Sequence, residues 1–165
     1  MDLVRIGKIV NTHGIKGELR IKSNFDKKDL VFKPGMKYYI GDENTCEIVN
    51  SYRHHKEFEM VTFNGYNNIN DVLHYLKQPV FVNREDLNLN SSDYLLDDLI
   101  GLTVVENGEE LGVVKDIEEN GINILLCVSG VKNFYIPKHD NFIKNVDLNN
   151  KVITVENAKG LILWK

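Results

Sequence analysis

Apolar and polar positions alternate with a period of two along much of this chain, and the clearest stretch is residues 98–129 (DLIGLTVVENGEELGVVKDIEENGINILLCVS). A period of two places alternate side chains on one face of a strand. Thr103-Val104-Val105 and Leu111-Gly112-Val113-Val114 flank Asn107-Gly108, and Asn-Gly between apolar runs predicts a tight hairpin because both residues tolerate positive φ. Asn120-Gly121 predicts a second turn. Beyond it Ile122, Ile124, Leu126 and Val128 share one parity, with Asn123, Leu125, Cys127 and Ser129 on the other. Three antiparallel strands follow from the pattern.

The first half reads the same way. Residues 4–10 form a strand interrupted at Gly7, which predicts a bulge or a close backbone approach. Residues 11–17 (NTHGIKG) form a turn-rich loop. Residues 18–23 form a second strand with Leu19 and Ile21 inward and Arg20 and Lys22 outward. Lys33-Pro34-Gly35 marks a turn, and residues 36–40, 46–49, 58–63 and 80–82 read as further strands. Residues 68–76 read as the one short helix, which an Asn can cap, with Val72, Leu73 and Leu76 as its buried stripe; Pro79 ends it. Five or six strands and a helix make a small barrel. In the second half, residues 134–137, 142–147 and 151–155 continue the strand pattern, and residues 160–162 close it.

Composition narrows the function classes. The chain has 165 residues, 42% of them hydrophobic, enough for one ordinary or two small domains. No run reaches the roughly 18 apolar residues of a membrane span, and the start lacks the basic-then-apolar form of a secretory signal. Cys46 and Cys127 match no ligand spacing, which predicts core packing in a reducing, cytoplasmic setting. The net charge of −4 is unevenly placed: residues 1–37 carry nine basic and four acidic residues (+5), and residues 38–165 carry eleven and twenty (−9). A basic end on an acidic body suits one surface for phosphate and another for a different partner, although a solvated charge mix explains so modest a bias equally well.

Two segments are candidate sites. In His13-Gly14-Ile15-Lys16-Gly17 the glycines allow close backbone approach and Lys16 can meet phosphate, with Arg20 and Lys22 displayed nearby. A demanding turn with a solvated lysine explains the same residues. The Gly-x-x-Gly spacing suggests a KH clamp, but that module needs helical flanks and these are strands. Tyr94, Leu95 and Leu96, with Asp98 and Leu99, offer an apolar patch for a protein partner or a cover for the open end of a barrel, and aromatic residues beside strands favour the cover. Asp98 reads as ordering the turn into Leu99. Adjacent His54-His55 point to opposite faces and have no third ligand at useful spacing, so no metal site follows; Asp97-Asp98 and Glu118-Glu119 fail as catalytic pairs for the same reason. No phosphate loop, nucleophile elbow or dinucleotide fingerprint is present. The expectation is a protein without catalytic activity, cofactor or small-molecule substrate.

Asp98-Leu99-Ile100-Gly101, the Gly108 turn and Leu111-Gly112-Val113-Val114-Lys115-Asp116-Ile117 closely resemble the opening of a PRC-barrel domain. Gly7-Lys8-Ile9-Val10 and His13-Gly14-Ile15-Lys16-Gly17-Glu18-Leu19 resemble the start of the RimM family of ribosome maturation factors. The later pieces of that family follow in order: the Lys33-Pro34-Gly35 turn, Asn70-Asp71, residues 80–87, a polar linker (NLNSSD), Ile136-Pro137, Val146-Asp147-Leu148 and Gly160-Leu161-Ile162. Leu95 stands where many relatives carry a second tyrosine after Tyr94, and Lys138 where Phe is frequent. Tyrosine pairs are tied to partner binding in the family, so Leu95 alters that contact.

The resemblance implies a mainly β chain of two small barrels: a translation-factor-like N-terminal barrel (1–87), a linker (88–93) and a PRC barrel (94–165). It further implies a monomeric assembly factor that binds the small (30S) ribosomal subunit, its nineteenth protein and the rRNA of its head, late in maturation and in support of 16S rRNA processing. On that reading Tyr94, Leu95, Leu96, Asp98 and Leu99 bind the ribosomal protein, and His13, Gly14, Lys16, Gly17, Arg20 and Lys22 bind rRNA. A PRC-barrel adaptor unconnected with ribosomes is the alternative, and the N-terminal HGIKGE segment argues against it. An RNA-processing enzyme would need an acid–base or metal constellation that the sequence lacks.

Overall fold

The computed structural model describes residues 1–90, 92–120 and 123–162. The protein is mainly β and divides into two compact units, Met1–Asp93 and Tyr94–Lys165.

In the first unit β1 (Leu3–His13), β2 (Glu18–Lys22), β3 (Lys37–Ile40), β4 (Thr45–His55), β5 (Phe58–Phe63) and β6 (Pro79–Asn83) close into a barrel in the order β1-β2-β5-β4-β3-β6. Leu19 and Ile21 are fully buried, as their parity requires. They share the interior with Ile6, Ile9, Tyr38, Val49, Val61, Phe63, Val80 and Val82. Gly7 supplies both features expected of it. The β1–β6 register shifts between Arg5 and Gly7, and a Cβ there would lie 2.7 Å from the Lys22 carbonyl oxygen. The loop expected over residues 11–17 is shorter, because β1 continues through His13 and only residues 14–17 turn. Likewise β4 runs on to His55 instead of stopping at Val49.

The helix expected over residues 68–76 is instead two 3₁₀ turns, Ile69–Asp71 and Leu73–Tyr75. Asn68 does cap the first, its side chain accepting from the Asn70 N–H at 2.9 Å. A 3₁₀ turn repeats every three residues, so Val72 and Tyr75 point inward while Leu73 is exposed and Leu76 only half-buried. A single turn of α-helix, α1 (Lys28–Val31), carries no apolar repeat long enough to announce it. Phe32, Tyr38, Phe63 and Tyr75 form an edge-to-face series with centroids 6.2, 6.0 and 5.9 Å apart. Two buried carboxylates end in tyrosines. Tyr75 donates to Glu47, and burial first, then that bond, pushes its hydroxyl pKa up. Tyr52 donates to Glu59 at 2.6 Å, while His54 Nδ1 lies 3.0 Å from both Glu59 oxygens and Lys28 Nζ at 3.7 Å. Burial, then the Glu59 bond, pushes the Tyr52 hydroxyl up to about 12.

In the second unit a 3₁₀ turn (Leu96–Leu99) precedes β7 (Thr103–Glu106), β8 (Glu109–Asn120), β9 (Asn123–Ser129), β10 (Phe134–Pro137), β11 (Ile143–Asp147) and β12 (Val152–Val155), and the short α2 (Lys159–Ile162) follows. The sheet order is β10-β9-β8-β7-β12-β11. The Asn107-Gly108 hairpin is as expected: both residues have positive φ, +52° and +81°, and Glu106 pairs with Glu109. Leu126 and Val128 are fully buried and Ile124 partly so. Gly121, on which the expected Asn120-Gly121 turn depends, and Ile122 lie outside the described residues. Purely antiparallel pairing does not hold throughout, because β12 pairs β7 in parallel, Val152 opposite Thr103. Cys127 is buried as expected, but Cys46 is exposed, since it takes the outward parity of β4 beside buried Glu47.

Candidate nucleic-acid and protein interfaces

The β1–β2 connection is built by its glycines. Gly14 and Gly17 both have positive φ (+68° and +89°). Gly14 has open space where a Cβ would stand, whereas a Cβ on Gly17 would meet the Tyr66 carbonyl oxygen at 3.3 Å. The Ile69 N–H donates to the Ile15 carbonyl at 2.9 Å and holds the turn against the 3₁₀ segment. Ile15 and Lys16 remain exposed at the tip.

Cross-strand pairing gathers side chains on the outer face beside this turn. Residues directly opposite on antiparallel strands share a face. His13 is opposite Glu18, Lys8 opposite Lys22, Arg20 opposite Met60, Arg53 opposite Met60 and His55 opposite Phe58. The Arg20 guanidinium lies 2.8 Å from His13 Nδ1 and 5.7 Å from the Phe58 ring centroid. Its Nε is buried without a hydrogen-bond partner among the described residues. Arg53 grips Glu18 through two bonds of 2.9 and 2.8 Å, and that grip is the main reason the Glu18 carboxyl sits below its ordinary range. His55, whose ring is 5.8 Å from His13, is pushed down by burial and then by Arg53, Lys56, His13 and Arg20.

Arg20 and Lys22 therefore share a face with His13, while Lys16 stands at the turn and the two glycines shape it. Sequence reasoning missed Lys8, Arg53 and His55. All three reach the face through pairing registers that no local pattern reveals. Like charges directly opposite on a sheet are destabilising, so the Lys8–Lys22 pair is a signal that a register alone makes visible. The face can bind an anion by charge and offers the Phe58 ring beside Arg20.

The other candidate segment needs a correction. Leu95, Leu96 and Leu99 are buried (2, 7 and 0% exposed), so of the two readings the favoured one, packing against the barrel, agrees with their burial, and the apolar patch for a partner is not at the surface. Leu96 and Leu99 belong to the core of the second unit, with Phe134, Ile136 and Ile153. The cause is local. The Leu95 N–H donates to Asp98 Oδ2 at 2.8 Å and the Asp98 N–H to the Leu95 carbonyl at 2.9 Å, which winds the segment into one turn and drives its leucines inward. Asp98 thus orders the turn, as its position suggested. Tyr94 and Asp98 stay partly accessible. Lys138 Nζ stands 5.6 Å over the Tyr94 ring, so the two positions at which the sequence departs from the family pattern are neighbours or contacts of one aromatic ring. Among the described residues no three His, Cys, Asp or Glu side chains are grouped to hold a metal, and no helix is long and apolar enough to cross a membrane.

The arrangement defines a two-unit β protein with a cationic outer face on its first barrel. Residues 4–87 match the RimM N-terminal domain and residues 96–161 the RimM PRC barrel domain. The chain is 42% identical over 164 residues to the ribosome maturation factor RimM of Staphylococcus haemolyticus, covering 96% of this chain and 98% of that one. It is 40% identical, with the same coverage, to the protein of that name from Staphylococcus epidermidis. A crystal structure from Pseudomonas aeruginosa, assigned as a 16S ribosomal RNA processing protein RimM, is 22% identical with a TM-score of 0.44 and covers 94% of this chain and 97% of that one. On the two domain matches and the near full-length identities, the chain belongs to the RimM family.

Proposed function

We propose that this protein is a cytoplasmic, non-enzymatic ribosome assembly factor that binds the maturing small subunit as a monomer, without cofactor. The observation that carries the reading is the ordered pair of RimM domains across nearly the whole chain, with relatives named as ribosome maturation factors. The physical layout supports a division of labour. The outer face of the first barrel, with Lys8, His13, Arg20, Lys22 and Lys16 at its turn, approaches rRNA of the subunit head through phosphate; Gly14 and Gly17 shape that approach. The second unit holds the nineteenth protein of the small subunit, with Tyr94 and Asp98 at its accessible edge and Leu95, Leu96 and Leu99 as the packed support beneath. Two modest contacts on one chain add to strong binding only where both partners are correctly placed. Such a factor promotes late maturation of the head and 16S rRNA processing without cleaving RNA itself.

Co-sedimentation with immature and mature small subunits across a salt series tests the reading. Enrichment on immature particles that weakens with salt is expected. Absence from both at low salt would refute it and favour a protein-binding adaptor with no ribosomal partner.

A further inference from the structure

The outer face of β8–β9–β10 does not look like the solvent side of an ordinary antiparallel sheet, which is polar. The pairing registers place Asp116 beside Cys127 and Cys127 beside Tyr135 in one row, and Glu118 beside Leu125 and Leu125 beside Pro137 in the next. β9 is therefore apolar on both faces: Ile124, Leu126 and Val128 point to the core, and Leu125 and Cys127 point out. At the first row lies a cavity of about 230 Å³ with Cys127 at its base, bounded by Val128 and by Tyr135, Phe134 and Asn133 on one side. Asp116 and Glu118 form the other wall, with Lys115 beside them. Both carboxylates are exposed, and Tyr135 is 39% exposed. Beyond Lys115, β8 carries only acidic charge: Glu109, Glu110, Asp116, Glu118 and Glu119.

We propose that this groove is a docking surface for an extended, arginine- or lysine-bearing segment of a partner protein. Positions two apart on a strand are separated by about 7 Å, so cations two apart on an extended partner match Asp116 and Glu118. Their aliphatic stems lie along Cys127 in the cavity and Leu125 in the next row of the same face while the charged heads reach the carboxylates, and an arginine also fits over the accessible Tyr135 ring. The acidic wall selects a basic segment and repels an acidic one. The inference deepens the proposed function, giving the acidic unit a contact surface that the buried leucines at 95, 96 and 99 do not provide. It rests on that reading only for the partner being ribosomal.

The test is fluorescence anisotropy of a labelled twelve-residue peptide alternating Arg with Val, titrated with the full chain, beside the same peptide with Glu for Arg. Saturable binding of the arginine peptide alone is expected, with amide NMR shifts confined to β8–β10. Asp116→Lys with Glu118→Lys should weaken it about tenfold or more, the scale of two exposed ion pairs lost and reversed. Asp116→Asn with Glu118→Gln, which perturbs the fold less, should weaken it by a smaller factor in the same direction. Equal affinity of the native and charge-reversed chains, equal binding of the glutamate peptide, no saturation, or shifts clustered elsewhere would each overturn the proposal. Co-sedimentation of the same variants separates the two ideas. If peptide binding is lost and ribosomal association is kept, the groove stands and its partner is not ribosomal. If the native chain binds peptide but never sediments with subunits, the ribosomal reading fails and the groove stands.

Discussion

Lys8 and Lys22 face each other directly across β1 and β2, both exposed, and removing either should move stability and RNA affinity in opposite directions. Cβ atoms of such a pair lie about 5 Å apart, and a like-charge pair there costs on the order of 0.2–1 kcal/mol. Lys22→Gln keeps the stem and removes the charge, so the folded barrel should gain a few tenths of a kcal/mol, read as a higher urea midpoint at unchanged slope. On the proposed rRNA reading the same change removes one phosphate contact. For single-stranded RNA each contact contributes about 0.7 to the slope of log affinity against log salt. Relative to a 1 M reference, that is about eightfold in affinity at 0.05 M salt and about fourfold at 0.15 M. Binding of a labelled single-stranded RNA at four salt concentrations reads both quantities. A chain that becomes less stable while keeping its full salt slope would refute the reasoning, because the lysines would then be supporting the sheet and not waiting for an anion.

Three other outcomes follow from particular contacts. Gly7→Ala should destabilise the first unit by about 1–3 kcal/mol in urea, since its new methyl meets the Lys22 carbonyl and Ile21 Cγ2; an unchanged midpoint would show that β1 can shift there at no cost. Glu106→Ala should cost about 1–3 kcal/mol, because the buried Ala158 N–H, which donates to Glu106 at 2.7 Å, loses its acceptor; no loss would mean water replaces the carboxylate. The Glu18 carboxyl is lowered from its ordinary 4.5, chiefly by its bond to Arg53. A lowered folded pKa contributes stability that is present above the unfolded value and lost as pH falls through the folded one. The midpoint difference between the native chain and Glu18→Gln should therefore be constant above about pH 5 and shrink below it; a difference that persists at lower pH would assign the effect to shape, not charge.

Local patterns carried much of the fold. The parity of Leu19 and Ile21, the Asn107-Gly108 hairpin and the punctuation at Gly7 are all properties of a few adjacent residues, and each is legible because period and turn chemistry act locally. What was not legible depends on distant pairing. The parallel match of Thr103 with Val152 has no signature in either segment. Over nine residues the difference between a period of 3.6 and one of 3 is too small to separate α-helix from the two 3₁₀ turns around Val72. At the candidate sites, Arg20 and Lys22 could be found by alternation and His13 by its glycine-flanked segment, but the sharing of their face with Lys8, Arg53 and His55 could not. The run Leu95-Leu96 looks alike whether it faces a partner or a core; the Asp98–Leu95 bonds that turn it inward decide the matter.

Each unit is sealed by a seam between its beginning and its end. In the first, Leu3 pairs with Asn83; in the second, Thr103 with Val152. Closing loops of about 80 and about 50 residues costs roughly 3.5–4 kcal/mol each in chain entropy, so neither seam is a plausible nucleus and both form after the local hairpins. During synthesis this imposes a schedule. The first barrel can close as soon as β6 has left the ribosome, while the second sheet must wait for β12 and spends that interval with the apolar strands β7–β9 made but uncovered. A nascent copy of this assembly factor would thus have a finished first barrel, its basic outer face already formed, before its acidic half exists, and the vulnerable window for aggregation or proteolysis lies in the making of residues 103–155.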